Sequence, residues 1–257
     1  MNGRGNLVAL GTIAHREVIR ILRIWGQTLM PPAITMTLYF IIFGTLIGRR
    51  IGEMHGFSYM QYITPGLVMM SIITNSYGNM TSSFFGAKFG RYIEEMLVSP
   101  MPPWVILCGY LSGAMLRGLT VGTLVLGISL LFTHLQMHHI AITLLTAILT
   151  SIVFALAGFI NAVFARKFDD IAIIPTFVLT PLTYLGGVFY SVDMLPSPWR
   201  QISHANPILY MVSAFREGML GAGDITLLPS FAVMLGFVAI LGATCIMLLR
   251  RGVGMRN

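Results

Sequence analysis

Apolar runs long enough to cross a bilayer recur along this chain, at 29–47, 62–85, 104–132, 140–164, 171–190 and 227–249, with short polar connectors between all but the last two. A hydrocarbon core about 30 Å thick takes roughly 20 apolar residues in a helix. A backbone surrounded by lipid must satisfy its own hydrogen bonds, which leaves helices or closed barrels. These runs lack the two-residue alternation of a barrel strand, so the expected fold is an all-α membrane protein with six transmembrane helices. Composition agrees, with 56% of the 257 residues hydrophobic and 10% charged.

The few charges orient such a bundle. The net charge of +7 is dispersed at the ends of apolar segments, which marks membrane orientation and argues against a nucleic-acid partner. One side collects Arg4, Arg16, Arg20, Arg23, Lys88, Arg91, Arg166, Lys167, Arg250, Arg251 and Arg256; the other has Arg49, Arg50, Arg200 and Arg216. By the excess of positive charge inside, both termini are expected in the cytoplasm. No secretory signal pattern precedes the first run, so the leader is expected to be retained. Cys108 and Cys245 fall in apolar runs near the reducing side, and no disulfide is expected.

Residues 1–28 read as an amphipathic helix lying in the cytoplasmic interface. Leu10, Ala14, Val18, Ile21 and Trp25 form an apolar stripe, and Thr12, Arg16, Arg20, Arg23 and Gln27 a polar one that suits anionic lipid head groups. A helical cap packed on the core is the simpler alternative. Pro31 and Pro32 are expected to turn the chain into the first span. Residues 29–249 form the membrane domain and 250–257 a basic tail. Within the long connector before the last span, 208–220 is apolar but too short to cross, and Asn206-Pro207 and Gly221 bound it. It reads as a re-entrant helix or as a loop on the outer surface.

The most charged short stretch is "KFGRYIEEMLVSPMPPW", residues 88–104. Phe89, Tyr92, Ile93, Met96 and Leu97 fall on one helical stripe, Lys88, Arg91, Glu94 and Glu95 on the rest, and Arg91 and Glu95 have the spacing of an ion pair. Ser99-Pro100 and Pro102-Pro103 end the helix. Glu94 and Glu95 sit poorly beside anionic lipid, so a protein partner explains the mixed charge better than lipid does.

Inside the apolar runs, Arg117 costs about 2.5–3.5 kcal/mol to insert and must face protein or water. It reads as a contact for an anionic head group, a gating pair, or an arginine bonded to carbonyls of the bundle. Thr74, Asn75, Ser76, Tyr77 and Asn79 make the second run the most polar. They suit a pathway surface, with Asn75 and Tyr77 the candidates, or bonds between helices. Gly109, Gly113, Gly118 and Gly122 are spaced for close helix packing. Asp169 and Asp170 suit a helix N-terminus. His134, His138 and His139 lack a carboxylate or cysteine beside them and read as solvated, so no metal site is expected.

Three stretches carry a resemblance: "FFGAKFGRYIEEMLVSPMPPWVILCGYLSGAMLRG" (84–118), "FDDIAIIPTFVLTPLTYLGGVFYSVDMLP" (168–196) and "ISHANPILYMVSAFREGMLG" (202–221). In these, and in the order of its features almost end to end, the chain resembles the six-span permease subunits of bacterial type two ABC exporters, which move drugs, lipids and lipid-linked glycans. The resemblance implies that the helix after the second span is a coupling helix seated in a separate ATPase subunit, with Lys88, Arg91, Glu94 and Glu95 facing it. It implies a second ATPase contact at Asp169 and Asp170, a connecting helix in the leader, and an outer gate at Asn206, Pro207, Arg216 and Glu217. It also implies a permease homodimer with two ATPase copies in the bacterial inner membrane. ATP and Mg would be held on the ATPase and no cofactor on this chain, which has no phosphate-binding Walker loop. The chain itself would catalyse no reaction. A secondary carrier, or an intramembrane lipid-modifying enzyme, is the alternative; the spans lack the carboxylates of the first and the convergent catalytic set of the second. The substrate stays open.

Overall fold

The computed structural model describes residues 3–134 and 137–254, and the backbone alone at 45–47 and 49. The Arg49 side chain and Arg256, both counted in the orientation above, lie outside the described residues. In chain order the elements are α1 (Gly3–Arg23), α2 (Trp25–Tyr39), a π-helical continuation (Phe40–Ile47), α3 (Gly48–Ile51), β1 (Glu53–Met54), β2 (Phe57–Ser58), α4 (Tyr59–Phe89), α5 (Tyr92–Val98) and α6 (Pro103–Ser129). There follow α7 (Ile140–Phe164), α8 (Asp170–Ile174), a π-helical turn (Pro175–Leu179), α9 (Thr180–Leu185), a 3₁₀ turn (Val192–Met194), α10 (Ser197–His204), α11 (Pro207–Leu220) and α12 (Leu227–Arg251).

This is an all-α membrane architecture, apart from one antiparallel two-stranded hairpin pairing Glu53 with Ser58. The hairpin turns on His55 and Gly56, both in the left-handed region that a tight turn of this hand demands. Four helical stretches are long and apolar enough to cross a membrane: Trp25–Gly44, Pro103–Ser129, Ile140–Phe164 and Leu227–Arg251. At 31 residues α4 has the length but carries the polar run, and 170–185 has the hydropathy but only part of the length.

α4 lies at the centre, packed along α6 on one side and α7 on the other. Ser58 and Gln61 cap its start reciprocally: the Ser58 hydroxyl accepts from the Gln61 N–H, and the Gln61 amide oxygen accepts from the Ser58 N–H at 3.0 Å. Glycines set how closely the neighbours approach. A Cβ on Gly118 or Gly122 of α6 would strike Ser76 or Ile72 of α4, and one on Gly158 of α7 would strike the Tyr77 carbonyl. Two apolar cores result, one around Tyr62, Met69, Phe215 and Met219 at the α11 end of α4, the other around Phe84, Phe85, Tyr110 and Phe159 at its α5 end.

Three expectations change. The chain does not turn at Pro31-Pro32; both prolines lie inside α2, and the break falls at Ile24, which leaves helical geometry at φ −109°. Pro31 and Pro32 lie further in, where their missing N–H groups leave the Gln27 and Thr28 carbonyls without their i+4 donors. The fifth run is helical only over 170–185, because Gly186 and Gly187 end it, the latter at φ +72°. Third, the face of α1 that packs on the bundle is Ile13, Glu17 and Ile21, while Trp25 of the expected apolar stripe stays exposed. Gly109 and Gly113 cause that shift: they open a groove in α6 into which Ile13 and Glu17 fit.

Candidate functional site

Two polar constellations stand at opposite ends of α4. At the α5 end the last turn of α4 carries Lys88, whose ammonium donates to the carbonyls of Val163 (2.6 Å) and Ala165 (2.8 Å). These carbonyls, at the C-terminus of α7, have no partner within the helix, and a cation is the natural one. The chain then breaks at Gly90, passes through Arg91 in the left-handed conformation (φ 62°), and starts α5. Ile93 buries itself and anchors α5; Glu94 and Glu95 stand exposed in its first turn, where negative charge is favoured. Phe89, Tyr92 and Val98 are exposed beside them.

The connector between α7 and α8 joins this corner. Phe168 meets Phe85 and Phe89 edge-on at 4.9 and 5.1 Å between ring centres. Asp170 accepts from the backbone N–H groups of Arg166 (2.8 Å) and Lys167 (3.0 Å). Asp169 makes no cap bond. α5 and the 165–170 connector thus form one continuous surface.

Beside it, Glu17 of α1 is buried against α6 and accepts from the Ser83 hydroxyl (2.7 Å) and from Arg20 (2.9 Å). Arg20 donates also to Asn79 (2.7 Å), and Arg16 donates to the Tyr110 hydroxyl (2.7 Å). α1 is thereby bonded to both α4 and α6.

At the other end, Arg216 of α11 is fully buried, its Nη1 2.7 Å from Asp224 and 3.0 Å from the Tyr62 hydroxyl, its Nη2 2.6 Å from the Gly187 carbonyl. Its guanidinium lies over the Tyr62 ring, 4.0 Å from the centroid. Ser191 donates to Asp224 at 3.0 Å. Four segments meet there: α4, the turn after α9, α11 and the turn before α12. Asn206 caps α11 by accepting from Ile208 N–H (3.0 Å) and donates to the Leu182 carbonyl of α9 (2.6 Å), while Glu217 accepts from Gly223 N–H (2.7 Å). Pro207 takes the first helical position, where no N–H is needed. α11 is packed among α4, α7 and α12 and is not a surface loop.

Along α4 between these ends the polar residues divide. Ser76 bonds Ser151 of α7 (2.8 Å), Thr81 donates to the Gly158 carbonyl (3.2 Å), and Tyr77 is buried in the same contact. Among the described residues Thr74 and Asn75 bond only within their own helix, and with Gly78 and Ser82 they line an open face where a Cβ on Gly78 would meet nothing within 4 Å.

This architecture matches the family model described as ABC-2 type transporter over residues 8–220. The chain belongs to the ABC-2 type transporter family. It is 58% identical over 250 residues to inner membrane transport permease YadH of Escherichia coli (strain K12), which spans 97% of this chain and 98% of that protein. Nodulation protein J of Rhizobium leguminosarum bv. viciae is 28% identical over 189 residues, 72% of this chain and 71% of that protein. The protein is therefore the transmembrane permease subunit of an ABC transporter, a multi-pass inner-membrane protein that is not itself an enzyme and relies on an ABC ATPase partner. The carrier and enzyme alternatives are not favoured.

Within this ABC-2 permease, Lys88 is separated from Arg91, Glu94 and Glu95: it belongs to α4, and its charge is spent on α7. Arg91 and Glu95 do not pair, because Arg91 stands outside the helix that their spacing presumes. Arg216 and Glu217 both make bonds at the α11 end of α4, in a network with Tyr62, Ser191 and Asp224, which sequence reasoning missed. Nothing in their own neighbourhoods marks them, since their chemistry exists only once four segments meet. Glu17, the one carboxylate on a basic helix, was also missed, and its helical phase with Ile13 and Ile21 was the available signal. Arg117 has neither a hydrogen bond nor an ion pair among the described residues, and its Nε is buried. The backbone N–H groups of His138 and His139 donate to the Met219 and Gly218 carbonyls of α11. His55, Asp193 and Asp224 bring ligand atoms within 4.8 Å of one another, but the Asp224 carboxylate already takes Arg216, Tyr62 and Ser191.

Proposed function

We propose that this permease works as an ATP-driven exporter in which two copies form the pathway and two ATPase subunits, holding ATP and Mg, dock on the corner built by α5. Six crossings follow from this reading: α2 with its π-helical continuation, α4, α6, α7, the 170–185 helix and α12. α10 and α11 then dip in from the outer side and return, and both termini lie in the cytoplasm, as the arginines and lysines favour. The name of the Escherichia coli relative, an inner membrane transport permease, supports the location. The open face of α4, with Thr74, Asn75, Gly78 and Ser82, suits a pathway wall between two copies. Tyr77 is a poorer candidate because it is buried against α7.

The observation that carries the coupling role is the exposed face of α5. A seven-residue helix anchored by one buried side chain, Ile93, presents two carboxylates together with Tyr92 and Val98, and Phe89 at the end of α4 is exposed beside it. Apolar and acidic groups side by side fit a protein cleft better than water or anionic lipid. ATP-dependent movement of that cleft would push α5 and, through the short Gly90-Arg91 break, α4. The test is co-purification of the tagged permease with its ATPase and ATP hydrolysis in lipid, comparing wild type with Glu94→Lys/Glu95→Lys. Loss of the complex or of coupled hydrolysis is expected; an ATPase that binds the double variant as well as wild type overturns the assignment.

A further inference from the structure

A groove of about 640 Å³ opens between α1 and the α4–α5 corner. Arg16, Arg20 and Arg23 line it from α1, Ser82 from α4 and Tyr92 from α5, and Glu17 is the one carboxylate on its wall. The charges do not balance. Glu17 is buried and already engaged by Arg20 and Ser83, and it lies 3.6 Å from Arg16. Arg23 has no hydrogen-bond or ion-pair partner among the described residues. Arg117, one turn beyond Gly113 on the α6 face that receives α1, adds an uncompensated guanidinium nearby.

The surroundings of the groove are apolar and outward-facing. α1 carries a second apolar face that does not pack on the bundle, with Val8, Ile19 and Leu22 exposed, and Trp25 at the start of α2 is exposed beyond the break. Tyr92, exposed at the start of α5, closes the far side of the groove. Such a helix does not face water on that side. Acyl chains cover it well, and aromatic rings at that depth are typical of the membrane interface. A ligand here needs an anionic group for the arginine cluster and hydrocarbon for the rim.

We propose that this groove is a defined site for the phosphate-bearing head group of an anionic lipid, one per protomer. The arginines and the Ser82 hydroxyl take the phosphate oxygens, and the acyl chains run along Ile19, Leu22 and Trp25. The leaflet rests on the cytoplasmic placement of α1 under the proposed function; the site itself does not. It differs from general attraction of a basic helix to a charged surface in being saturable and local.

The experiment is native mass spectrometry of the full-length permease released from micelles supplied with phosphatidylglycerol or phosphatidylcholine. Wild type is compared with Arg16→Gln/Arg23→Gln and with the charge-matched control Arg4→Gln/Arg250→Gln, whose arginines lie outside the groove. Thermal unfolding verifies that each variant is folded. Expected is saturable retention of one phosphatidylglycerol per protomer, weakened roughly tenfold or more in the groove variant and unchanged in the control. Equal losses in the two double variants, equal retention of phosphatidylcholine, or displacement of the lipid by millimolar inorganic phosphate each overturn the proposal. Because no ATPase is present, a failed ATPase complex leaves this result standing, and the reverse holds too.

Discussion

Arg216 and Asp224, eight residues apart, form a 2.7 Å ion pair in which the guanidinium is wholly buried, stacked on Tyr62 and bonded to the Gly187 carbonyl. Removing one partner strands a buried charge, which costs about 3–5 kcal/mol, whereas replacing both with apolar groups of similar size is near neutral. Asp224→Ala is therefore expected to lower stability by that amount, and Arg216→Met/Asp224→Leu to regain most of it. Reversible unfolding in micelles measures both. A loss below about 1 kcal/mol for Asp224→Ala would show that the pair holds nothing together.

Lys88 and the carboxylates of α5 adjoin in sequence but differ in role, and two variants separate them. Lys88→Met removes charge-assisted bonds to the end of α7 and is expected to cost about 1.5–3 kcal/mol of stability. Glu94→Lys/Glu95→Lys breaks no side-chain bond among the described residues and is expected to leave the unfolding midpoint unchanged while abolishing ATPase association. If the Lys88 variant keeps full stability yet loses the ATPase, Lys88 faces the partner after all.

The fit of α1 on α6 depends on Gly113, where a Cβ would lie 2.6 Å from that of Glu17. Gly113→Val should push α1 off α6, break the Glu17–Ser83 bond, and cost about 1–3 kcal/mol through overpacking. Hydrogen exchange is the measure: amides 13–21 should lose protection while those of α7 keep theirs. Unchanged protection in α1 would mean that the helix is held elsewhere.

Gly78 and Gly118 offer a matched pair. A side chain at Gly118 collides with Ser76 at 1.9 Å from its Cβ position, whereas Gly78 faces open space. Gly118→Leu is expected to prevent stable folding. Gly78→Leu is expected to fold with wild-type stability and, as the proposed pathway wall requires, to block transport. Vesicle transport assays together with cross-linking of the Gly78 variant check this; normal transport would remove that face from the pathway.

How far the sequence carries depends on the range of the interaction concerned. The apolar runs, the proline stop after α5, the Asn206-Pro207 start of α11 and the two glycine pairs of α6 depend on local composition or fixed spacing, so they could be read in advance. The break at Ile24 could not be, because Pro31-Pro32 is the stronger local signal and the packing of α1 on α6 overrides it. The same holds for Lys88, whose helical phase with Arg91 is sound until Gly90 interrupts it. Asp224 had no local pattern at all; its role rests on residues 33 and 162 positions away.

One continuous helix, α4, holds Tyr62 near its start and Ser83 and Lys88 near its end. At 31 residues it is about 46 Å long, with only Pro65 interrupting its hydrogen bonds. It can therefore act as a lever whose two loads are the α5 corner and the Arg216–Asp224 lock. A tilt of roughly 5° about one end carries the other through about 4 Å, more than the span of a hydrogen bond. Motion too small to disturb the packing against α6 and α7 at the α5 end would suffice to pull the Tyr62 hydroxyl away from its partners at the other. Opening one side of the membrane and releasing the other would then be a single mechanical event, with no relay of intermediate contacts.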